Sequence, residues 1–261
     1  MKTILLYCRM APIVPLLFLG ACASKPAKPS AAGPITTAEP SAQPRPARPS
    51  LDDILQQSAG KPSLPFEGEG WQQMFNGKTL AGWRETDFAG HGEVQCRFGL
   101  LILNTGDPFT GINWTNDFPK INYEIALDAM RVTGSDFFCG LTVPVGTNFC
   151  SLIVGGWGGS LLGISSLDSM DASENETTKF INFEQDRWYR IRLRVTEARI
   201  EAWIDKEKVV DANTTGRRIS VRPGDIELSR PFGLSAWQTT SALREIKRRL
   251  VSGPADPPKR E

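Results

Sequence analysis

The sequence predicts an all-β fold, a sandwich of antiparallel sheets, and three observations carry that expectation. Over roughly residues 66–251 the apolar residues come in short runs of strand length. Gly, Asn, Asp and Pro separate the runs, and the clearest of them alternates apolar and polar residues with period two. The 261 residues are 40% hydrophobic and 23% charged, which excludes collagen-like, wholly disordered and polytopic membrane classes. Thirty Lys and Arg against 29 Asp and Glu leave a formal charge of +1, so no global field favours nucleic acid as a partner.

The chain opens with Lys2 and Arg9, no acid, and the apolar run Ile13-Val14-Pro15-Leu16-Leu17-Phe18-Leu19. This pattern over residues 1–21 reads as a removable export signal, too short and too interrupted by proline for a lasting span. Leu19-Gly20-Ala21-Cys22 resembles a bacterial lipobox, so Cys22 is the expected lipidation site and the membrane is met only through that anchor. Ala23 after the cysteine favours the outer membrane of a cell envelope that has two. Loss of Lys2 and Arg9 turns the charge from +1 to −1. Seven of the 19 prolines fall in residues 23–50, with Ala and Ser around them, which predicts an extended, disordered tether. Ser50 ahead of Leu51-Asp52-Asp53-Ile54-Leu55 is an N-cap signal for a helix that Gly60 and Pro62 keep short. The expected organisation is a signal over 1–21, an anchor, linker and short helix over 22–64, a β-sandwich over 65–252 and a tail over 253–261.

Within the sandwich, Tyr189, Ile191, Leu193 and Val195 alternate with Trp188, Arg190, Arg192 and Arg194, and Ile200, Ala202 and Ile204 alternate with Arg199, Glu201 and Trp203. A two-residue loop at Glu197-Ala198 sets Arg190 opposite Asp205, Arg192 opposite Trp203 and Arg194 opposite Glu201. The polar face is then either a solvated ladder of paired charges or an open sugar platform, with Trp203 stacking on a pyranose and Arg192 donating to its hydroxyls. Cys139 and Cys150 lie on neighbouring strands around Pro144-Val145-Gly146-Thr147. A turn of Pro144-Val145 alone brings them face to face for a disulfide, whereas a four-residue loop sets Cys139 opposite Leu152. Cys96 reads as a buried small hydrophobe.

Candidate chemistry is sparse. His91 is the one histidine, between glycines in a loop, so a histidine-rich zinc site is excluded; the ring can serve as a ligand contact. Trp157 sits in Gly155-Gly156-Trp157-Gly158-Gly159, an aromatic on permissive backbone suited to stacking on a sugar ring. The loop that follows carries Asp168, Asp171, Glu174 and Glu176, which can act as general acid and base or as oxygen ligands for Ca²⁺ or another divalent metal. Asp136 is an isolated carboxylate beside an apolar run, and also fits a turn after Gly134-Ser135.

Met74-Phe75-Asn76-Gly77-Lys78-Thr79-Leu80-Ala81-Gly82-Trp83, with Trp188-Tyr189-Arg190-Ile191 leading to Trp203-Ile204-Asp205 and the closing Ala242-Leu243-Arg244-Glu245-Ile246, resembles the 3-keto-disaccharide hydrolase domain family. The resemblance spans roughly residues 66–251. It implies a concanavalin A-like jelly roll in an exported bacterial protein, and action on a glycan or small glycoside whose glucose is oxidised at C3. A ketone there acidifies the C2 hydrogen, so a base can remove it and the C1 substituent can leave. The resemblance assigns base and ketone-polarising roles among Asp136, Asp171, Glu174, Glu176 and Arg192, with Trp157 and Trp203 as walls. Two stretches depart from it: Ser135-Asp136-Phe137-Phe138-Cys139 has no Asn-Ser-Gly-Ile with its following arginine, and Ser151-Leu152-Ile153-Val154 replaces a Glu-x-Gln run. A non-catalytic carbohydrate-binding or surface-interaction module is therefore the alternative to an enzyme.

Overall fold

The computed structural model describes residues 48–252. Helix α1 (Leu51–Ala59) precedes β1 (Gln72–Gln73), β2 (Trp83–Glu85), β3 (Val94–Arg97), β4 (Leu100–Leu103) and β5 (Phe109–Trp114). The middle of the chain forms β6 (Tyr123–Gly134), β7 (Cys139–Val145), β8 (Asn148–Gly156), β9 (Leu161–Ser165) and β10 (Lys179–Phe180). Then come β11 (Tyr189–Val195), β12 (Arg199–Ile204), β13 (Glu207–Asn213), a 3₁₀ turn (Asp225–Ser229), β14 (Gly233–Trp237) and β15 (Thr239–Leu250). One antiparallel sheet runs β13-β12-β11-β6-β15-β4-β3 with β1 against β15, and the other runs β10-β9-β8-β7-β14-β5-β2. The chain passes repeatedly from one sheet to the other, giving the two-sheet jelly-roll sandwich that the resemblance implies.

Period-two alternation decides which residues form the core. Tyr123, Ile125, Leu127 and Ala129 of β6 and Ile191, Leu193 and Val195 of β11 meet Leu141 and Val143 of β7, Cys150, Leu152 and Val154 of β8, and Leu234 and Ala236 of β14. Most of these are fully buried, and each Leu, Ile or Val among them contributes about 1.5–3 kcal/mol for removal from water. The hairpin pairs as the sequence requires: Arg192 lies opposite Trp203 and Arg194 opposite Glu201, while the Arg190 amide donates to Asp205.

The outer face of the eight-stranded sheet is a closed charge array. Asp128 is nearly buried between Arg190 (2.7 Å) and Arg244 (3.2 Å), and Glu124, fully buried, faces Arg192 (3.2 Å), Arg194 (3.5 Å) and Arg249 (2.6 Å). Trp203 is only 8% exposed and is covered by cations, with the Arg192 guanidinium 4.0 Å from its ring centre and Arg194 and Lys208 at 5.3 Å. The open-platform reading of Arg192 and Trp203 is thus corrected to the paired-charge reading, because the guanidinium groups occupy the ring face a sugar would need.

The segment ahead of the sandwich is docked on that same face. Ser50 and Asp53 form a reciprocal capping box on α1, whose Ile54 and Leu55 pack on Leu100, Ile102, Met130, Val132 and Ala242. Beyond the helix, Arg190 donates to Ser63 Oγ (2.8 Å) and the Leu64 carbonyl (2.7 Å), and Arg244 donates to the Lys61 carbonyl (2.7 Å). Residues 48–64, assigned from sequence to the linker side of a boundary at 65, therefore complete the sandwich: their carbonyls accept from arginines that the sheet alone leaves with spare donors. Cys22, the export signal and the 253–261 tail lie outside the described residues.

The β7–β8 turn is neither of the two alternatives weighed from sequence. Val145 pairs with Asn148, so Gly146-Thr147 is the loop, and Gly146 has the positive φ (64°) that a Gly-first two-residue turn needs. Cys139 then faces Val154 and Cys150 faces Val143, and both thiols are free. Burial pushes the Cys139 thiol far up and the Cys150 thiol up to about 12, so both behave as core hydrophobes. Cys96 is only half-buried, against the core edge.

Candidate active site

The residues that can do chemistry gather on the face of the seven-stranded sheet turned away from the core. Strand alternation places Ser151 and Ile153 of β8, Ser165 of β9, Phe109 of β5 and Trp237 of β14 on this side, opposite in phase to their core neighbours. Asp136, Trp157, Asp171, Arg222 and Asp225 close the space above them. The result is a cavity of about 450 Å³, within the range of small-molecule sites.

Its walls are aromatic. Phe109 stacks on Phe88 (4.7 Å) and meets Trp237 edge to face at 4.5 Å, with Phe137 against both. Trp157 projects from the β8–β9 turn with φ 49° and is 44% exposed, an unusual degree for so large an apolar side chain. Its flanking glycines at 155, 158 and 159 all have positive φ, which lets the chain reverse tightly beneath the indole.

Two carboxylates at the cavity differ sharply in their partners. Asp136 is half-buried, and its oxygens accept backbone hydrogens from Phe137 (2.7 Å) and Gly158 (3.2 Å). Among the described residues Asp136 forms no ion pair, so a lone pair on each oxygen stays available. Asp171 is paired with Arg222 (2.7 Å), and its other oxygen accepts the Ala172 amide hydrogen (2.7 Å). Arg222 is largely exposed and keeps further donors free for a ligand. Asp225 stands at the rim, at the start of the 3₁₀ turn.

The 166–178 segment is held rather than free. Ser166 and Ser220 exchange backbone hydrogen bonds (2.6 and 3.3 Å), which brings Arg222 alongside Asp171. Buried Asn175 donates to the carbonyls of Ile164, Met170 and Asp171, and Thr178 bonds the Ala172 carbonyl. Those contacts divide the acids that the sequence grouped together. Asp171 lines the cavity; Glu174 instead accepts the Asp171 amide hydrogen (3.1 Å), and Glu176 pairs with Arg217 away from the cavity. His91 lies outside the cavity as well, exposed and 3.9 Å from Glu85. Assignment of base or acid roles to Glu174 and Glu176, and of a ligand contact to His91, is corrected on this geometry. For a divalent metal the arrangement offers little: among the described residues no group of three or more His, Cys, Asp or Glu side chains is placed to hold one.

Arg217 gathers Asp168 (2.8 Å) and Glu176, and each carboxyl is held below its ordinary range. For Asp168 the Arg218 backbone hydrogen is the larger cause and Arg217 the next; for Glu176 the Arg217 hydrogen bond leads. Depressed carboxyl values stabilise this attachment above the unfolded range near pH 4, and the contribution is lost as pH falls through the lower folded values. Amide hydrogen exchange across 166–178, corrected for intrinsic rates, is expected to accelerate between pH 5 and pH 3 relative to β6; equal protection at both pH values contradicts this.

Arg222, Asp225, Phe109, Phe137 and Trp237 are the site residues that sequence reasoning missed. Arg222-Pro223-Gly224 carries a turn signal, yet nothing local says that it faces Asp171 rather than solvent.

No curated protein matches the sequence. Among solved structures, a carbohydrate-binding module of Bacillus subtilis is 12% identical over 68% of this chain and 99% of its own, with a TM-score of 0.43. A Bacillus licheniformis β-glucanase is 10% identical over 72% and 100%, with a TM-score of 0.46. A Bacillus subtilis protein of unknown function with a galectin-like fold is 10% identical over 66% and 92%, with a TM-score of 0.48. The family described as the 3-keto-alpha-glucoside-1,2-lyase-like domain matches residues 70–249, the β-sandwich and every residue of the cavity, and the chain belongs to that carbohydrate-active family.

Proposed function

We propose that the cavity binds a 3-keto-glycoside and cleaves its glycosidic bond by elimination, with Asp136 as the base. The observation that carries this reading is the convergence of Asp136, the Asp171–Arg222 pair and the Trp157, Trp237 and Phe109 walls in one space. Asp136 removes the C2 hydrogen, and its electron pair moves onto the C3 carbonyl oxygen, where the Arg222 guanidinium stabilises the enolate. The ketone re-forms as C1=C2 forms and the C1–O bond breaks, and the proton on Asp136 passes to the departing oxygen. Water added across the double bond completes a hydrolysis; without it the reaction ends as a lyase. Asp171 sets the position of Arg222, and the aromatic walls take the apolar faces of the sugar.

Purified protein incubated with a 3-keto-glucoside is expected to release the aglycone, with an α,β-unsaturated ketone visible as near-ultraviolet absorbance that persists in a lyase and decays where water adds. Binding without cleavage identifies a carbohydrate-binding module, and neither binding nor cleavage overturns the reading. Trp157→Ala is expected to weaken binding about tenfold by calorimetry, which corresponds to ~1.4 kcal/mol and to ~50 Å² of ring removed from contact.

We also propose export and lipid anchoring through Cys22, supported by the Leu19-Gly20-Ala21-Cys22 sequence after an apolar run. Cys22→Ser is expected to abolish labelling by radioactive palmitate and to release the protein from the membrane fraction. Persistent labelling overturns it.

A further inference from the structure

We propose that Arg131 is a positioning residue of this site: by holding the carbonyls of Gly155 and Gly159, it fixes the turn from which Trp157 and the Gly158 amide reach the cavity. The inference rests on the cavity being the site of the reaction above. Arg131 belongs to β6, in the other sheet, and follows Ala129 in the core-facing row. It is 5% exposed. Its Nη2 donates to the carbonyls of Gly155 (3.1 Å) and Gly159 (2.7 Å), and its Nη1 to the Phe183 carbonyl (3.2 Å), while the guanidinium lies 5.1 Å from the Phe138 ring centre.

No carboxylate stands within ion-pair distance of Arg131 among the described residues. A buried cation with only carbonyl partners is a costly choice for a core position that an apolar side chain can fill. What the guanidinium supplies, and an apolar side chain does not, is a rigid planar fork of donors: the two hydrogens of Nη2 hold two carbonyls of one tight turn while Nη1 fixes the plane on the Phe183 carbonyl. The turn is shaped to receive it. A Cβ at Gly155 falls 2.4 Å from Nη2, and one at Gly159 falls 3.2 Å from Nη1, so glycine at both positions makes room for the arginine. Burial lowers the Arg131 pKa, and the nearby charge of Asp136 partly opposes that shift. Between the anchored carbonyls sit Trp157 and Gly158, whose amide donates to Asp136 Oδ2. Arg131 therefore acts on the sugar wall and on the proposed base through one short loop, without reaching the cavity itself.

The test compares wild type with Arg131→Lys and Arg131→Met, the first keeping the charge and losing the fork, the second keeping only the stem. Each protein carries 5-fluorotryptophan, and the Trp157 resonance is assigned by its loss in Trp157→Phe. At 25 °C, where thermal unfolding shows each variant folded, the Trp157 line is expected to shift or broaden while the Trp83 and Trp188 lines stay in place. The kcat on a 3-keto-glucoside is expected to fall about 10- to 100-fold, the scale of a misplacement near 1 Å. If the Met variant does not fold, the Lys variant decides. A folded variant with an unchanged Trp157 line and unchanged kcat overturns the proposal and leaves Arg131 a purely structural residue. If wild type itself is inactive, the functional reading fails, while the Trp157 line still reports whether Arg131 sets the turn.

Discussion

Asp136→Asn is expected to lower kcat on a 3-keto-glucoside by about 10²–10⁴-fold while KM changes little, the range assigned to a positioned general base. Asparagine fills nearly the same space and preserves the aromatic walls, so the ground-state complex survives. Proton abstraction is lost because the amide has no basic oxygen to receive the C2 hydrogen. One local cost accompanies the change. Asp136 accepts from both Phe137 and Gly158, and the amide nitrogen of asparagine has no lone pair for one of them. A thermal melt alongside the kinetics separates a small loss of stability from loss of the base. Asp171→Asn is the informative comparison: it releases Arg222 from its partner and is expected to impair ketone polarisation, so KM and kcat move together. Should Asp136→Asn turn over substrate like wild type, the base lies elsewhere and Asp225, which lines the rim and forms no ion pair among the described residues, becomes the candidate.

Asp128→Ala is expected to destabilise the sandwich by about 3–5 kcal/mol in denaturant unfolding, a large part of the ~5–15 kcal/mol that holds a typical domain. The carboxylate bridges Arg190 and Arg244, all three with little exposure, and accepts from the half-buried Ser63. Its removal leaves two largely buried guanidinium groups without their shared counter-charge. The strap formed by residues 61–65 is then expected to loosen, because the same two arginines bind its carbonyls. By contrast, Asp211→Ala, which breaks the exposed contacts to Arg199 and Lys208, is expected to change stability little. Equal effects from the two substitutions refute the importance of burial here.

The comparison of Asp128 with Trp157 shows which parts of this molecule are readable from sequence. The β11–β12 hairpin is legible to the register because alternation and a two-residue loop are local properties, and Arg192 opposite Trp203 follows from counting. Whether Trp203 is open or covered is not local: it depends on β6 contributing Glu124 to hold the arginines over the ring, and on Lys208 arriving from β13. The acidic loop shows the same limit. Asp171, Glu174 and Glu176 look equivalent as letters, and only the pairing of Ser166 with Ser220, far along the chain, sends one to the cavity and another to Arg217. Trp157 is recognisable because four glycines around an indole leave it no local packing. Arg222 and Trp237 carry no such mark, since their neighbours in space come from other strands. The cysteine turn fails for a smaller reason: Gly146 is a stronger turn residue than Pro144, and shifting a turn by two residues moves every partner on β8.

Strand β8 has a wider consequence. Cys150, Leu152 and Val154 look inward to the sandwich, and Ser151 and Ile153 look outward to the cavity, so one stretch of chain is read by two independent audiences. Ser165 beside Ile164, and Trp237 beside Ala236, divide in the same way. The side chains at 151, 153, 165 and 237 line the cavity, while the inward row of the same strands packs the sandwich core. On each of these strands a one-residue step therefore separates a side chain that holds the sheets together from one that shapes the cavity, so a shift of register by a single residue would exchange the two roles.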